Sequence, residues 1–463
     1  MEGRIDAHFY KSEFFELDKK IKNGQFECKR FGSLIKYISS GATPLKSESN
    51  KFYTDDKING IPLLRVQNIT EEGLMLDDVI FINSGTHTKD LKRSQVFEGD
   101  LLVTITGRIA SSAVAPENFE GNINQHSVMV RTNDLVLNKY LAIYFNSHLG
   151  QKFAIRVTTG GTRPALDYTA LKSLLIPVPP IETQQKVVAI FESAYQSKKA
   201  KEAEAKRLLD SIDAYLLEKL GIILPEKTVT KKTFFVSFAQ IQGNRFDPFY
   251  HSSFFQNSEQ RIKNSNFEFV SLKNVIKKLK TGVTPHQNLN PYCENNGIIF
   301  LRNSDLKPYE LDLSDVKFIK SEFTKLLTFS EKQDVIICIA GTVGTSAVNE
   351  FEEKISINQN ITSIEVNQNL INPYFLCAYL NSKLAIEFTK RVCSMATIYY
   401  LNNENLKSLQ IPLPPLSVQE EIATHITGIR AAAKRLQAGA KTELETAKIA
   451  VEKMILGEGD ANE

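Results

Sequence analysis

The strongest constraint on this chain is internal duplication. The string IPVPPIETQQ at residues 176–185 returns as IPLPPLSVQE at residues 411–420. Self-similarity of this kind is read before any other pattern, because it fixes how many comparable units the chain must fold. Walking outward from the two strings, the match continues. RIDAHFYKSEFF (4–15) pairs with RFDPFYHSSFF (245–255), and KIKNGQFE (20–27) with RIKNSNFE (261–268). SGATP (40–44) pairs with TGVTP (281–285), and GIPLLR (60–65) with GIIFLR (297–302). ITGRIASSAV (105–114) matches IAGTVGTSAV (339–348), INQH (123–126) matches INQN (357–360), and LKSLLIPVPP matches LKSLQIPLPP. The period is roughly 240 residues, far longer than any solenoid repeat, so the chain reads as two tandem copies of one large module.

Each copy changes character at its Pro-Pro string. Before it lie short β-rich runs such as DLLVTIT (100–106) and DVIICIA (334–340), broken by Gly, Asn and Thr turns, with a few helical segments such as KYLAIYFNS (139–147) between them. That mixture predicts an α+β globular domain. After the string comes a long, charged, amphipathic helix. Two adjacent prolines cannot lie within a helix, and Thr183 or Ser417 is placed to cap the one that follows. The expected division is 1–175, a first globular domain; 176–225, a central helical spacer; 226–410, a second globular domain; and 411–463, a C-terminal helical spacer.

Both helices carry a heptad seam. In the first, Val187, Phe191, Ala194, Lys198, Lys201, Ala205, Leu208, Ile212 and Tyr215 follow steps of four and three. In the second, Ile422, Ile426, Ile429, Ala433, Leu436, Ala440, Glu443, Ala447 and Ala450 do the same. Sustained spacing of this kind predicts a coiled coil. An antiparallel pair with Val187 beside Met454 sets Lys198 beside Glu443, and a Lys198–Glu443 pair would then fix the register. A parallel pair would leave Glu443 unpartnered near Leu208. Roughly 33 residues at about 1.5 Å each give a helix of about 50 Å. The expected arrangement is pseudo-twofold and nearly circular, with the chain start packed near the end of the second helix.

Bulk properties narrow the setting. The 463 residues are 42% hydrophobic and 24% charged, ordinary for a soluble globular protein. Five cysteines are dispersed without C-x-x-C spacing, which argues against a disulfide framework or a zinc ribbon and for a reducing cytoplasm. No segment resembles a signal peptide, and the longest apolar run is strand-length, so no membrane association is expected. A net charge of +3 neither requires nor excludes nucleic acid.

Enzymatic motifs are missing. There is no H-E-x-x-H, G-x-S-x-G, G-x-x-x-x-G-K-[ST] or G-x-G-x-x-G, and the seven histidines are dispersed without metal-site spacing. GTVGTS (341–346) is a turn, since its twin is GRIASS. NPYF (372–375) faintly resembles the motif of amino-methyltransferases, yet its twin is NKYL and no glycine-rich cofactor loop follows an early strand. No catalytic residue, metal or cofactor is therefore assigned to this chain.

The doubled RIDAHFY/RFDPFYH opening, the LKSL-IPxPP-xxxQ boundary before a long helix, and the tandem organisation together resemble the specificity subunit of type I restriction–modification systems. The resemblance spans essentially the whole chain. It implies a non-catalytic, DNA-reading subunit with two target recognition domains, one per half, each reading one part of a split, asymmetric site on double-stranded DNA. It further implies that the paired helices set the gap and dock two copies of the modification subunit, which supplies S-adenosylmethionine-dependent adenine methylation, and that a restriction subunit joins for cleavage. A helix of about 50 Å spans on the order of fifteen base pairs, more than one turn of duplex. Two other readings compete: a protein-interaction scaffold that reads no DNA, and a self-sufficient DNA methyltransferase.

Base edges are read by Arg, Lys, Asn and Gln, and phosphates are neutralised by Lys and Arg on loops. The candidates are Arg65 and its twin Arg302, Arg108, Gln125 with His126, Gln359 with Asn360, and Arg163 in the loop GGTRP. For phosphates, the cluster His87, Lys89, Lys92 and Arg93 serves the first half, and Lys277, Lys278 and Lys280 the second. Because Arg65 and Arg302 recur in both copies, a shared ion pair of the fold competes with DNA contact at both. The Asn-Gln pairs compete with turn capping. Arg163 has no twin, which favours a role specific to one half.

Overall fold

The computed structural model describes residues 9–45, 47, 49–159, 164–224, 235–241, 249–395 and 399–458. Two units emerge: residues 1–203 with 436–463, and residues 204–435. The long helices, Ile181–Leu220 and Leu416–Leu456, are each continuous, and each contributes one part to either unit. No helix among the described residues is long and apolar enough to cross a membrane.

In the first unit a four-stranded antiparallel sheet runs Ser112–Val114, Leu101–Thr104, Ser127–Thr132, Ile35–Ser40. A five-stranded sheet runs Tyr53–Thr54, Ile80–Ile82, Ile61–Leu64, Glu120–Ile123, Gln95–Phe97, with one parallel pair between Ile61–Leu64 and Glu120–Ile123. The alternation of a strand decides which layer each side chain joins. Leu101, Val103, Val128 and Val130 pack with Tyr140, Tyr144 and Phe145 of the helix Asn138–Asn146. Leu102 and Met129, on the opposite face, pack with Leu64, Val96 and Ile123 of the five-stranded sheet. The central sheet is thus covered on both faces, which is why DLLVTIT reads as a continuous apolar run.

The second unit repeats this strand for strand. Its four-stranded sheet runs Ser346–Val348, Val335–Cys338, Ile361–Val366, Ile276–Thr281. Its five-stranded sheet runs Tyr292–Cys293, Lys317–Ile319, Ile298–Leu301, Ile355–Ile357, Phe329–Ser330, again with a single parallel pair at the matching place. The hairpin Ser394–Met395/Tyr399–Tyr400 belongs to the second unit alone among the described residues.

The duplicated proline string joins each sheet assembly to its helix. Ile176 and Ile411 sit in short strands, Leu175–Pro177 and Gln410–Pro412, that pair with Cys28–Arg30 and Phe269–Ser271. The helices begin at Ile181 and Leu416, one residue past the prolines, and the Thr183 and Gln184 amides donate to the Pro180 carbonyl. Thr183 and Ser417 therefore lie inside the first turn and are not the caps expected of them. The Gln that ends each motif is fully buried. In the first copy this is Gln184, whose amide oxygen accepts from Leu137 N–H at 2.9 Å and whose nitrogen donates to the carbonyls of Leu135 and Pro179, both at 2.9 Å. Gln419 does the same with Asn372, Leu370 and Pro414, at 2.7, 3.0 and 2.8 Å.

Every expected seam residue of both helices is buried or half-buried, and the helices pair antiparallel within each unit. In the first unit Ala194 packs on Leu444 and Ala447; in the second the Tyr215 ring lies 4.0 Å from that of His425, and Lys219 bonds Glu421 at 2.5 Å. The proposed Lys198–Glu443 lock is absent. Glu443 instead takes Lys201, one turn further along, and Ser197 at 2.9 Å. Lys198 turns away from the seam to Glu72 and Glu202. Burial disfavours its charge, but those two carboxylates outweigh burial and hold Lys198 above the ordinary lysine range. The reason is the hairpin Ile69–Thr70/Gly73–Leu74, whose turn offers Glu71 to Lys448 at 3.1 Å and Glu72 to Lys198. A globular-domain hairpin thus competes with the partner helix for the seam lysine.

The start of the described chain packs as the duplication requires. Phe14, Leu17 and Ile21 of the helix Ser12–Lys22 share a core with Val451, Ile455 and Leu456, and Gln25 N–H donates to the Leu456 carbonyl at 3.1 Å. In the second unit Asn266 N–H donates to the Leu220 carbonyl at 3.2 Å.

Candidate nucleic-acid interface

The turns that follow the strands Glu120–Ile123 and Ile355–Ile357 lie at the same place in both units, and both carry predicted site residues. Asn124 Oδ1 accepts from the His126 amide at 3.1 Å, and Asn358 Oδ1 from the Asn360 amide at 3.1 Å, so each Asn shapes its own turn. This leaves Gln125 and His126, and Gln359, exposed at the tip, with Asn360 half-buried. Beneath each turn runs a glycine that admits no side chain. A Cβ on Gly41 would lie 1.7 Å from the Ile123 carbonyl oxygen, and one on Gly282 2.1 Å from that of Asn358. That close approach brings the next threonine under the tip: Thr43 donates to Gln125 Oε1, and Thr284 to Gln359 Oε1.

In the first unit this tip borders a cleft of about 670 Å³ whose lining includes Thr43, Tyr53, Lys57, Arg65, Gln125 and His126. The cleft brings together three of the residues singled out by sequence. Apolar walls from Leu63, Val79 and Phe81 with a few polar groups at the rim are the usual make-up of a recognition site. Beyond the cleft's edge, His126 Nδ1 lies 2.6 Å from Thr106 Oγ1.

Arg65 reaches back across the fold. Its guanidinium donates to the Asp78 carbonyl at 3.0 Å and to the Asp78 carboxylate at 3.3 Å. Arg302 is held harder. It makes a two-pronged bond to Asp305 at 3.0 and 2.7 Å and a further one to the Asp315 carbonyl at 2.6 Å. The Asp305 hydrogen bond outweighs desolvation and raises the Arg302 pKa. At the Asp305 position the first copy has Asn68, which caps the Arg65 amide but leaves the buried Arg65 Nε without a partner among the described residues. The ion pair of the fold is therefore present at both arginines. Arg302 is committed to it, whereas Arg65 still faces the cleft.

The other candidates lie apart. Arg108 is exposed at a separate hollow of about 620 Å³ that Glu71 and Glu72 also line. Lys89, Lys92 and Arg93 are exposed on the turns Thr86–Asp90 and Lys92–Ser94, and none has a side-chain partner among the described residues. His87 does not belong with them. It is 3% exposed, with Nδ1 2.6 Å from Asn122 Oδ1 and Nε2 2.9 Å from Glu120, so it braces the sheet rather than a phosphate. Lys277 and Lys278 are exposed on the outer strand Ile276–Thr281, while Lys280 is half-buried between Asp334 at 3.6 Å and Glu331 at 3.8 Å. That placement turns Lys280 toward a structural ion pair. Arg163 lies outside the described residues, as do residues 1–8 and 242–248 of the duplicated opening.

Sequence reasoning missed Thr43, Thr106 and Tyr53. A signal existed for two of them. SGATP and TGVTP share their threonine, and Tyr53 and Tyr292 both precede the GIPLLR and GIIFLR strands. Thr106 is matched by Ala340, so only contact geometry reveals it.

Comparison with known proteins falls on the same duplication. The family model for the type I restriction modification DNA specificity domain matches twice, over residues 23–207 and 264–446. A putative type I restriction enzyme MjaX specificity subunit from Methanocaldococcus jannaschii is 23% identical over 441 residues, covering 92% of each chain. The type I restriction enzyme MjaVIII specificity subunit of the same organism is 20% identical over 438 residues, covering 92% of this chain and 91% of its own. Among solved structures, a chain from a study of complex assembly and conformational transition of the type I R-M system superimposes with a TM-score of 0.56. It is 18% identical and covers 94% of this chain and 98% of its own length.

Proposed function

The chain belongs to the type I restriction modification DNA specificity family, and from that premise we propose how its two DNA recognition domains divide the work. Each reads one half of a bipartite, asymmetric target on double-stranded DNA. The single observation that carries this reading is a duplication of frame without duplication of face. The sheets correspond strand for strand, yet His126 stands opposite Asn360, Arg108 opposite Thr342, and Thr106 opposite Ala340. Two like scaffolds with unlike tips suit two unlike half-sites, much as half-site spacing mirrors protein geometry in other DNA readers.

The domain boundaries follow the proline strings: recognition in residues 1–175 and 226–410, spacing in 176–225 and 411–463. The antiparallel helices set the gap between the half-sites and dock the modification subunits, two copies in all, with restriction subunits joining the same assembly. The chain itself performs no chemistry and holds no cofactor; methyl transfer belongs to the modification subunit. Gln125, His126, Gln359 and Asn360 contact base edges, joined by Arg65 and Arg108, and Lys89, Lys92, Arg93, Lys277 and Lys278 neutralise phosphates. The assembly works in the cytoplasm.

The test is methylome sequencing of a host expressing this chain with its modification subunit. A single split motif with a fixed gap is expected. A contiguous motif, or methylation indifferent to sequence, would refute the reading.

A further inference from the structure

At the exposed tip of the first unit, four side chains form one hydrogen-bonded line. Thr43 donates to Gln125 Oε1. That orients the amide so that Gln125 Nε2 faces His126 Nε2, 3.3 Å away. An amide nitrogen can only donate, so His126 Nε2 is the acceptor and the ring proton resides on Nδ1. Nδ1 lies 2.6 Å from Thr106 Oγ1, which accepts a hydrogen bond from that N–H and leaves its own hydroxyl hydrogen to a group outside the protein. The backbone holds both ends still. Ile105 N–H donates to the His126 carbonyl at 2.9 Å, and Thr106 bridges to Ala165 on the neighbouring segment.

The second unit keeps only half of this line. Thr284 donates to Gln359 just as Thr43 does to Gln125, and Ile339 N–H donates to the Asn360 carbonyl at 2.9 Å. Asn360 replaces the histidine, and Ala340 replaces the threonine, so the line stops at the glutamine. The shared part is frame; the unshared part is a pair of side chains at matching positions of two otherwise equivalent tips.

We propose that His126 and Thr106 are specificity-determining residues of the first recognition domain, joined to the base-reading amide of Gln125, with Thr43 as the positioning residue that fixes the polarity of the line. The line presents donors outward: the Thr106 hydroxyl and the second amide hydrogen of Gln125. It therefore selects a base edge that offers acceptors in the major groove, as guanine does with O6 and N7, over cytosine, whose distinguishing group there is an amino donor. The inference rests on the half-site reading proposed above.

The experiment is methylome sequencing of the whole complex carrying Thr106→Ala with His126→Asn, the pair native to the second unit, beside the unaltered complex. If the unaltered complex gives no split motif, the half-site reading itself fails. Given a split motif, the double variant relaxes base preference about tenfold at one or two positions of one half-site, leaving the other half-site and the gap as they were. Preference unchanged at every position, or weakened alike in both half-sites, overturns the proposal. Thr106→Ala alone, which removes one half-buried hydroxyl, reads the same positions if the double variant fails to assemble. Thr106→Ser, which keeps the hydroxyl, preserves the motif; a Ser variant behaving like the Ala variant overturns the proposal as well.

Discussion

The Lys201 ammonium, and not that of Lys198, sits on the Glu443 carboxylate across the antiparallel helix pair. The pair is open to water, which screens it, so its coupling is expected to be modest. Lys201→Glu weakens the chain, and adding Glu443→Lys restores it. Lys198→Glu is worse, because it faces Glu72 and Glu202 at a seam position whose side chain is 14% exposed, and Glu443→Lys does not rescue it. Urea unfolding of the four variants separates the two arrangements. The pH dependence carries a matching sign. Hydrogen bonds from Lys201, then Ser197, hold the Glu443 carboxyl below the ordinary glutamate range. Its contribution is present above the unfolded value and is lost as pH falls through the lower, folded one. Glu443→Gln should therefore flatten the acid limb of the stability curve.

Gln184 joins the helix start to its domain through three hydrogen bonds in a site without solvent access. Gln184→Leu keeps the size but removes the partner of the Leu137 amide and of the Leu135 and Pro179 carbonyls. Each abandoned buried group costs about 1–3 kcal/mol. A loss of at least about 2 kcal/mol is expected, with the same loss for Gln419→Leu. Chemical denaturation measures it, and a loss below about 0.5 kcal/mol at either site would contradict the bridging role.

How much of this was legible in the sequence follows from how local each signal is. The strand runs and the heptad seam are local apolar patterns, twice present because the chain is duplicated, and they survive into the fold because burial enforces them. Lys198 failed because its partner comes from a hairpin more than a hundred residues away, which no helix periodicity encodes. His87 failed because neighbouring lysines made it look solvated, while its ring is claimed by Asn122 and Glu120 from another strand. Gln125 and His126 were singled out by residue type and turn context, and the structure sets them at an exposed tip. The threonines that orient them depend on the close approach at Gly41 and on pairing between distant strands.

Lys89, Lys92 and Arg93 are exposed together without side-chain partners among the described residues, as groups that neutralise phosphates would be. Replacing all three by alanine should weaken DNA binding by the assembled complex uniformly across sequences. The slope of log K against log salt should become shallower by up to about 2.7, or about 0.9 for each phosphate no longer neutralised. Filter binding at several salt concentrations reads the slope. An unchanged slope would assign these residues to a solvated face, and a changed motif would make them base readers.

The spacing role proposed for the long helices makes a geometric demand. Seven residues inserted after Ala203 in the first long helix and seven after Arg435 in the second preserve both seams, because a heptad is the repeat of the pattern itself. Seven residues lengthen a helix by about 10.5 Å, close to three base pairs at about 3.4 Å each. The complex with both insertions should then methylate a target whose gap is about three base pairs longer, with both half-site sequences unchanged. A single insertion breaks the match between the seams and should cost stability without yielding a new, defined gap. Should the double insertion still methylate the original gap, the helices would be ties between the domains rather than a measure of distance.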